Sequence, residues 1–181
     1  MQQTPDGFKP KPPQDEKDLD TLLGEIELVV VEAEGVLTDG GVICGPDGSE
    51  SVVIGRSDVL GLENWLALGG KAVVASRQSL KAVAAWCREN GFTHRVHQGA
   101  KAPMMQTIIF EHQLEPRQVM YVGADLDDLP AMIIAGLAAA PLDAHPWALG
   151  GAHVKLRKPG GRGALRELLD LLAEKRPPRK A

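Results

Sequence analysis

Apolar residues fall along this chain in short unbroken runs, separated by stretches of helical spacing. The clearest run, Val29-Val30-Val31, ends in Glu32, Ala33 and Glu34. No period-2 polarity interrupts it, so it reads as a strand at about 27–33 buried on both faces, as in a parallel sheet. Similar runs predict strands at 71–76, 94–98, 119–123, 137–140 and 153–156. Between them, 3.6-residue spacing predicts helices at 58–68, 79–90, 103–112, up to 135, from 146 onward, and at about 163–174. Gly69-Gly70 and Asn90-Gly91 supply stop signals, and Pro103 is tolerated in a first helical turn. Strands alternating with helices imply a parallel sheet with right-handed crossovers and helices on both faces, a Rossmann-like α/β fold.

Two segments stand outside that alternation. Residues 41–54 place two β-prone runs around Gly45-Pro46-Asp47-Gly48, the signature of a hairpin. It falls between a core strand and a helix and therefore projects, with Val42, Ile43, Val52 and Val53 expected to be exposed. Such a surface asks for a cover, and oligomerisation supplies one. The first stretch carries Pro5, Pro10, Pro12 and Pro13 among charges, too little apolar content to fold. The expected division is a disordered arm at 1–18, one domain at 19–174 opening with a short helix at 19–23, and a loose charged tail at 175–181.

Composition narrows the function. A net charge of -4 over 181 residues gives no basic stripe for nucleic acid. No apolar run reaches the roughly 18 residues of a membrane span. Cys44 and Cys87 make no disulfide framework, so reduced thiols and a cytoplasmic location are the expectation. The five histidines, at 94, 97, 112, 145 and 153, lack metal-ligand spacing. Trp65, Trp86 and Trp147 lie on helical faces and read as packing.

Chemistry concentrates after the first strand. Glu32 and Glu34 are spaced i, i+2 and point the same way, just past the carboxyl end of a buried strand, where open α/β sheets bind ligands. Glu34-Gly35-Val36-Leu37-Thr38-Asp39-Gly40 is followed in order by Gln98-Gly99 and Gly123-Ala124-Asp125-Leu126-Asp127-Asp128-Leu129-Pro130. Asp143-Ala144-His145-Pro146 and Gly160-Gly161-Arg162-Gly163-Ala164 come next. Together, over about residues 26–174, these motifs resemble the capless subfamily of 3-deoxy-manno-octulosonate 8-phosphate phosphatases in the haloacid dehalogenase superfamily. The resemblance implies a Mg²⁺-dependent phosphomonoester hydrolase without a cap domain, acting on a sugar phosphate. It also implies a homotetramer with the hairpin at its contacts. In that family an aspartate attacks phosphorus, a second aspartate protonates the leaving oxygen, and Mg²⁺, a Thr and a Lys hold the phosphoryl group.

Carried over by motif position, most of that set is replaced. The nucleophile and acid/base positions hold Glu32 and Glu34, the second of which also offers its carbonyl to the metal. The phosphate-binding Thr and the Gly after it fall on Ala75 and Ser76, and the Lys falls on Pro103. The direct metal ligand falls on Ala124, whereas Asp128 remains and Asp125 is adjacent. An arginine follows the second strand in the family, and Arg77 stands there, suited to an anion or to structural pairing alike. Arg162 and Arg166 match a C-terminal segment that can contact substrate in a neighbouring subunit. A Glu nucleophile displaces the attacking oxygen by on the order of 1 Å, enough to cost about 10²-fold. A lost oxyanion donor costs about 10²–10³. The substitutions therefore predict a phosphatase relative that has lost activity and holds Mg²⁺ weakly or not at all. The alternative is an active enzyme in which Glu32 attacks and neighbours such as Lys101 and Asp125 substitute.

Overall fold

The computed structural model describes residues 16–76, 81–96 and 99–176. In chain order these form α1 (Glu16–Glu25), β1 (Leu28–Glu32), β2 (Ile43–Cys44), β3 (Glu50–Ser51), α2 (Arg56–Ala67), β4 (Lys71–Ser76), α3 (Lys81–Glu89) and β5 (Thr93–Val96). There follow α4 (Lys101–Glu111), β6 (Val119–Val122), α5 (Leu129–Ile134), β7 (Leu137–Ala140), α6 (Pro146–Gly151), β8 (Val154–Lys155) and α7 (Ala164–Lys175). Arg77, His97, Gln98, the arm up to residue 15 and the tail from residue 177 lie outside the described residues.

Six strands form one parallel sheet in the order β5-β4-β1-β6-β7-β8, so β1 is central. All five of its residues are buried, as an apolar run without alternation requires. Successive side chains still take opposite faces. Val29 and Val31 join a core with Leu62, Trp65, Leu165 and Leu168, while Leu28 and Val30 join Met105, Ile108 and Met132 on the other side. Burying each such side chain contributes about 1.5–3 kcal/mol. A charge at Val30 would be buried without a partner and would break the sheet at its centre. Among the described residues no helix is long and apolar enough to cross a membrane.

Several expectations need adjustment. The first helix begins at Glu16, inside the stretch assigned to the arm, and runs to Glu25 rather than covering only 19–23. The fourth helix starts at Lys101, which puts Pro103 third in its first turn. Lys175 and Arg176, the described residues of the expected tail, are both held. Lys175 pairs with Asp20 at 2.6 Å, and the Arg176 guanidinium sits 4.7 Å over the Trp65 ring.

The hairpin is present, with Ile43 opposite Ser51 and Cys44 opposite Glu50. Asp47 holds its turn by accepting from the Ser49 amide and hydroxyl. Val42, Ile43 and Val53 are exposed, Ile43 by 64%. Val52 instead turns inward and packs on the core, because the strand alternates and one of its faces meets the body.

The last helix is fastened back to the sheet. The buried Asp58 carboxylate of α2 accepts the amides of Gly163 and Arg166, both at 2.9 Å, and so caps α7 from another element. The preceding loop approaches so closely that a Cβ on Gly160 would lie 1.9 Å from the Gly35 carbonyl oxygen.

Candidate functional site

At the carboxyl edge of the sheet β1 runs into a tight turn, Ala33–Leu37. The Thr38 amide and hydroxyl both donate to the Ala33 carbonyl at 2.9 Å, and Gly35 takes φ +78, which its lack of a Cβ permits. This turn forms one wall of a crevice of about 650 Å³. Glu32, Glu34, Ala124, Asp125 and Asp128 line it with Asp39, Asp143, His145 and Lys101. The structure therefore brings together the sequence-predicted residues after β1 and β6.

The other predicted positions lie elsewhere. Ala75 and Ser76 are fully buried at the end of β4 and do not line the crevice. Pro103 lines a separate cavity of about 410 Å³ with Arg95 and Met104. Pro103 stays out of the crevice, and Lys101, two residues before it, reaches the crevice instead. Arg162 and Arg166 line a third cavity, and Arg162 pairs with Asp39 at 3.1 Å. Arg77 falls outside the described residues.

Four side chains close a ring at the floor of the crevice. The Lys101 ammonium donates to Glu32 Oε2 and to Asp128 Oδ1, each at 2.5 Å. The Tyr121 hydroxyl contacts the same two oxygens, at 2.9 and 2.7 Å. Asp128 Oδ2 accepts the amides of Ala124 and Asp125, at 2.8 and 2.9 Å. Glu32, Lys101 and Asp128 are all nearly fully buried. The motifs do not point to Tyr121, whose signal in the chain is a hydroxyl within an otherwise apolar buried strand, which needs a partner.

Electrostatics follow from that enclosure. Burial raises the Glu32 pKa well above the ordinary carboxyl value, the Glu34 carboxyl and Asp128 add to the rise, and Lys101 opposes it. Burial acts to lower the Lys101 pKa, but Asp128 and Glu32 outweigh it and hold it above the ordinary lysine value. Burial also pushes the Tyr121 phenol well up, helped by Asp128 and Glu32, so it remains a neutral donor. At the rim His145 caps α6, accepting the Trp147 amide at 3.3 Å, a structural role.

The donor set departs from the family's Mg²⁺ site. A hard divalent ion needs about six oxygens in near-octahedral array. Here Ala124 offers no side-chain oxygen, and the facing oxygens of Glu32 and Asp128 already share Lys101. The second Asp128 oxygen is taken by backbone amides. Among the described residues no group of three or more His, Cys, Asp or Glu is arranged to hold a metal ion.

Comparison with known proteins gives a consistent answer. No family model matches the chain. A curated relative, the 3-deoxy-D-manno-octulosonate 8-phosphate phosphatase of Escherichia coli (strain K12), is 34% identical over 149 residues, 81% of this chain and 79% of its own. The solved Yersinia pestis phosphatase of the same name superposes with a TM-score of 0.80 at 30% identity, covering 86% of this chain and 85% of that one. The Moraxella catarrhalis phosphatase, solved with magnesium, phosphate and 3-deoxy-manno-octulosonate, shares the fold with a TM-score of 0.83 at 24% identity, covering 90% and 94%. By sequence and by fold, this chain belongs to the 3-deoxy-D-manno-octulosonate 8-phosphate phosphatase family of the haloacid dehalogenase superfamily.

Proposed function

We propose that this chain keeps its family's scaffold without its phosphatase activity, serving as a binding or scaffolding protein in the cytoplasm. One observation carries the reading: the ring of Lys101, Glu32, Tyr121 and Asp128 beside Ala124. An attacking carboxylate must be ionised and free to move onto phosphorus. Glu32 is buried, which raises its pKa, and its carboxyl is already engaged by Lys101 and Tyr121. Magnesium binding is weak or lost on this reading, because the crevice supplies no carboxylate at position 124. The free thiols Cys44 and Cys87 fit a reducing compartment. The exposed Val42, Ile43 and Val53 support subunit contacts through the hairpin, in a homotetramer. A sugar phosphate remains a candidate ligand.

The experiment is phosphate release from 3-deoxy-manno-octulosonate 8-phosphate and a panel of phosphomonoesters, with Mg²⁺, by the full chain. No turnover above a heat-denatured control is expected. Turnover abolished by Glu32→Ala would overturn the reading. Installing Asp at 32, 34 and 124 with Thr at 75, while keeping Lys101, is the converse arm.

A second reading, an active Mg²⁺-dependent sugar-phosphate phosphatase with Glu32 as nucleophile, is favoured by one observation. Lys101, two residues before the family's Lys position, stands against the Glu32 carboxylate. The same assay separates the two readings.

A further inference from the structure

The third cavity, of about 670 Å³, lies where the first turns of α2 and α7 meet, and its charge is opposite to that of the crevice. Ser57, Arg157, Lys158, Arg162, Arg166 and Glu167 line it, four cationic side chains against one carboxylate. We propose that this cavity binds a doubly charged oxyanion, inorganic phosphate or a phosphomonoester, independently of the family crevice.

The cations are available. Arg157 is paired with Glu167 but 87% exposed, and Arg162 is paired with Asp39 but 69% exposed. Exposed pairs of this kind are worth about 0–1 kcal/mol, so an incoming dianion displaces them readily. Arg166 holds Asp170, one turn along its own helix. Lys158 has no carboxylate partner among the described residues. Guanidinium groups match the oxygen geometry of phosphate through paired donors, and the Ser57 hydroxyl adds a neutral one. The cavity lies by the amino ends of α2 and α7, whose helix charge Asp58 and Glu167 already answer. The buried Asp58 already takes the Gly163 and Arg166 amides, so recognition falls to side chains. The crevice is lined mainly by carboxylates, Asp39, Asp125 and Asp143 among them, and its one lysine is already held between Glu32 and Asp128.

The test is a phosphate titration of the ¹⁵N-labelled full chain followed by amide shifts, with sodium chloride at matched ionic strength as control. A glycerol phosphate arm separates phosphomonoester from free phosphate. Saturable shifts at Ser57, Lys158 and Gly163 are expected, absent with chloride. Lys158→Ala, at an exposed surface, should weaken binding about fivefold, and Arg157→Ala with Lys158→Ala should weaken it further. Shifts confined to Gly35, Ala124 and Asp125 would place the ligand in the crevice and overturn the proposal, as would shifts that chloride reproduces. Phosphate release in the hydrolysis assay would refute the inactive reading yet leave this site to be judged on its own shifts.

Discussion

Lys101 and Arg157 are both paired cations, and they sit at opposite extremes. The Lys101 side chain is 5% exposed and lies between two carboxylates, whereas Arg157 is 87% exposed and leans on one. In the crevice the charges of Lys101 and its partners are withdrawn from water and satisfied by one another, so they contribute to holding the structure. In the cavity at the start of α7 the charges stay in water, contribute little to the fold and keep their capacity to bind. A buried pair is costly to break and an exposed pair is nearly free to lose. Counting carboxylates and lysines in the sequence does not separate these two conditions.

The largest expected effect lies at the buried end. Lys101→Met leaves Glu32 and Asp128 facing each other without a cation and should cost about 3–5 kcal/mol in urea unfolding. A loss below about 1 kcal/mol would mean that the ring is wetter than its geometry implies. Next comes pH. Because the Glu32 pKa is raised in the folded state, the fold holds a proton above the ordinary value of 4.5 that the unfolded chain has released. The stability from this group is full below 4.5 and declines as pH rises through the folded pKa, by at most about 1.4 kcal/mol per pH unit. Glu32→Gln should remove that decline; parallel pH profiles for the two proteins would refute the assignment. Tyr121→Phe deletes one buried hydroxyl between two acceptors and should cost about 1–2 kcal/mol by the same unfolding measurement. Arg157→Ala should change stability by no more than about 1 kcal/mol, and a larger loss would show that this cation is structural after all.

The sequence shows the sheet plainly and the site only in part. Val29-Val30-Val31 announces a central strand because nothing polar interrupts it, and the carboxylates at its end mark where a crevice must open. The lysine was harder. Motif spacing counts residues and places the family lysine at Pro103, but a helix turns about 100° per residue. Two positions along α4 therefore face about 200° apart, and once the helix starts at Lys101, that residue looks into the crevice while Pro103 looks toward Arg95. Helix phase depends on where the first turn begins, which local pattern leaves open by a few residues. Tyr121 escaped for a different reason: its partners come from β1 and from the segment after its own strand, a meeting that exists only once the sheet is assembled. Val52 shows the same limit, since facing inward depends on how the hairpin leans against the body.

The contact between Gly160 and the Gly35 carbonyl carries one more consequence. Two parts of the chain 125 residues apart share a single thickness of backbone there, with no side chain as cushion. Any residue other than glycine at 160 must push the turn that follows β1, and with it the wall of the crevice. A change introduced near the end of the chain would thus be felt at the opposite end of the sequence as altered shape, before any loss of fold.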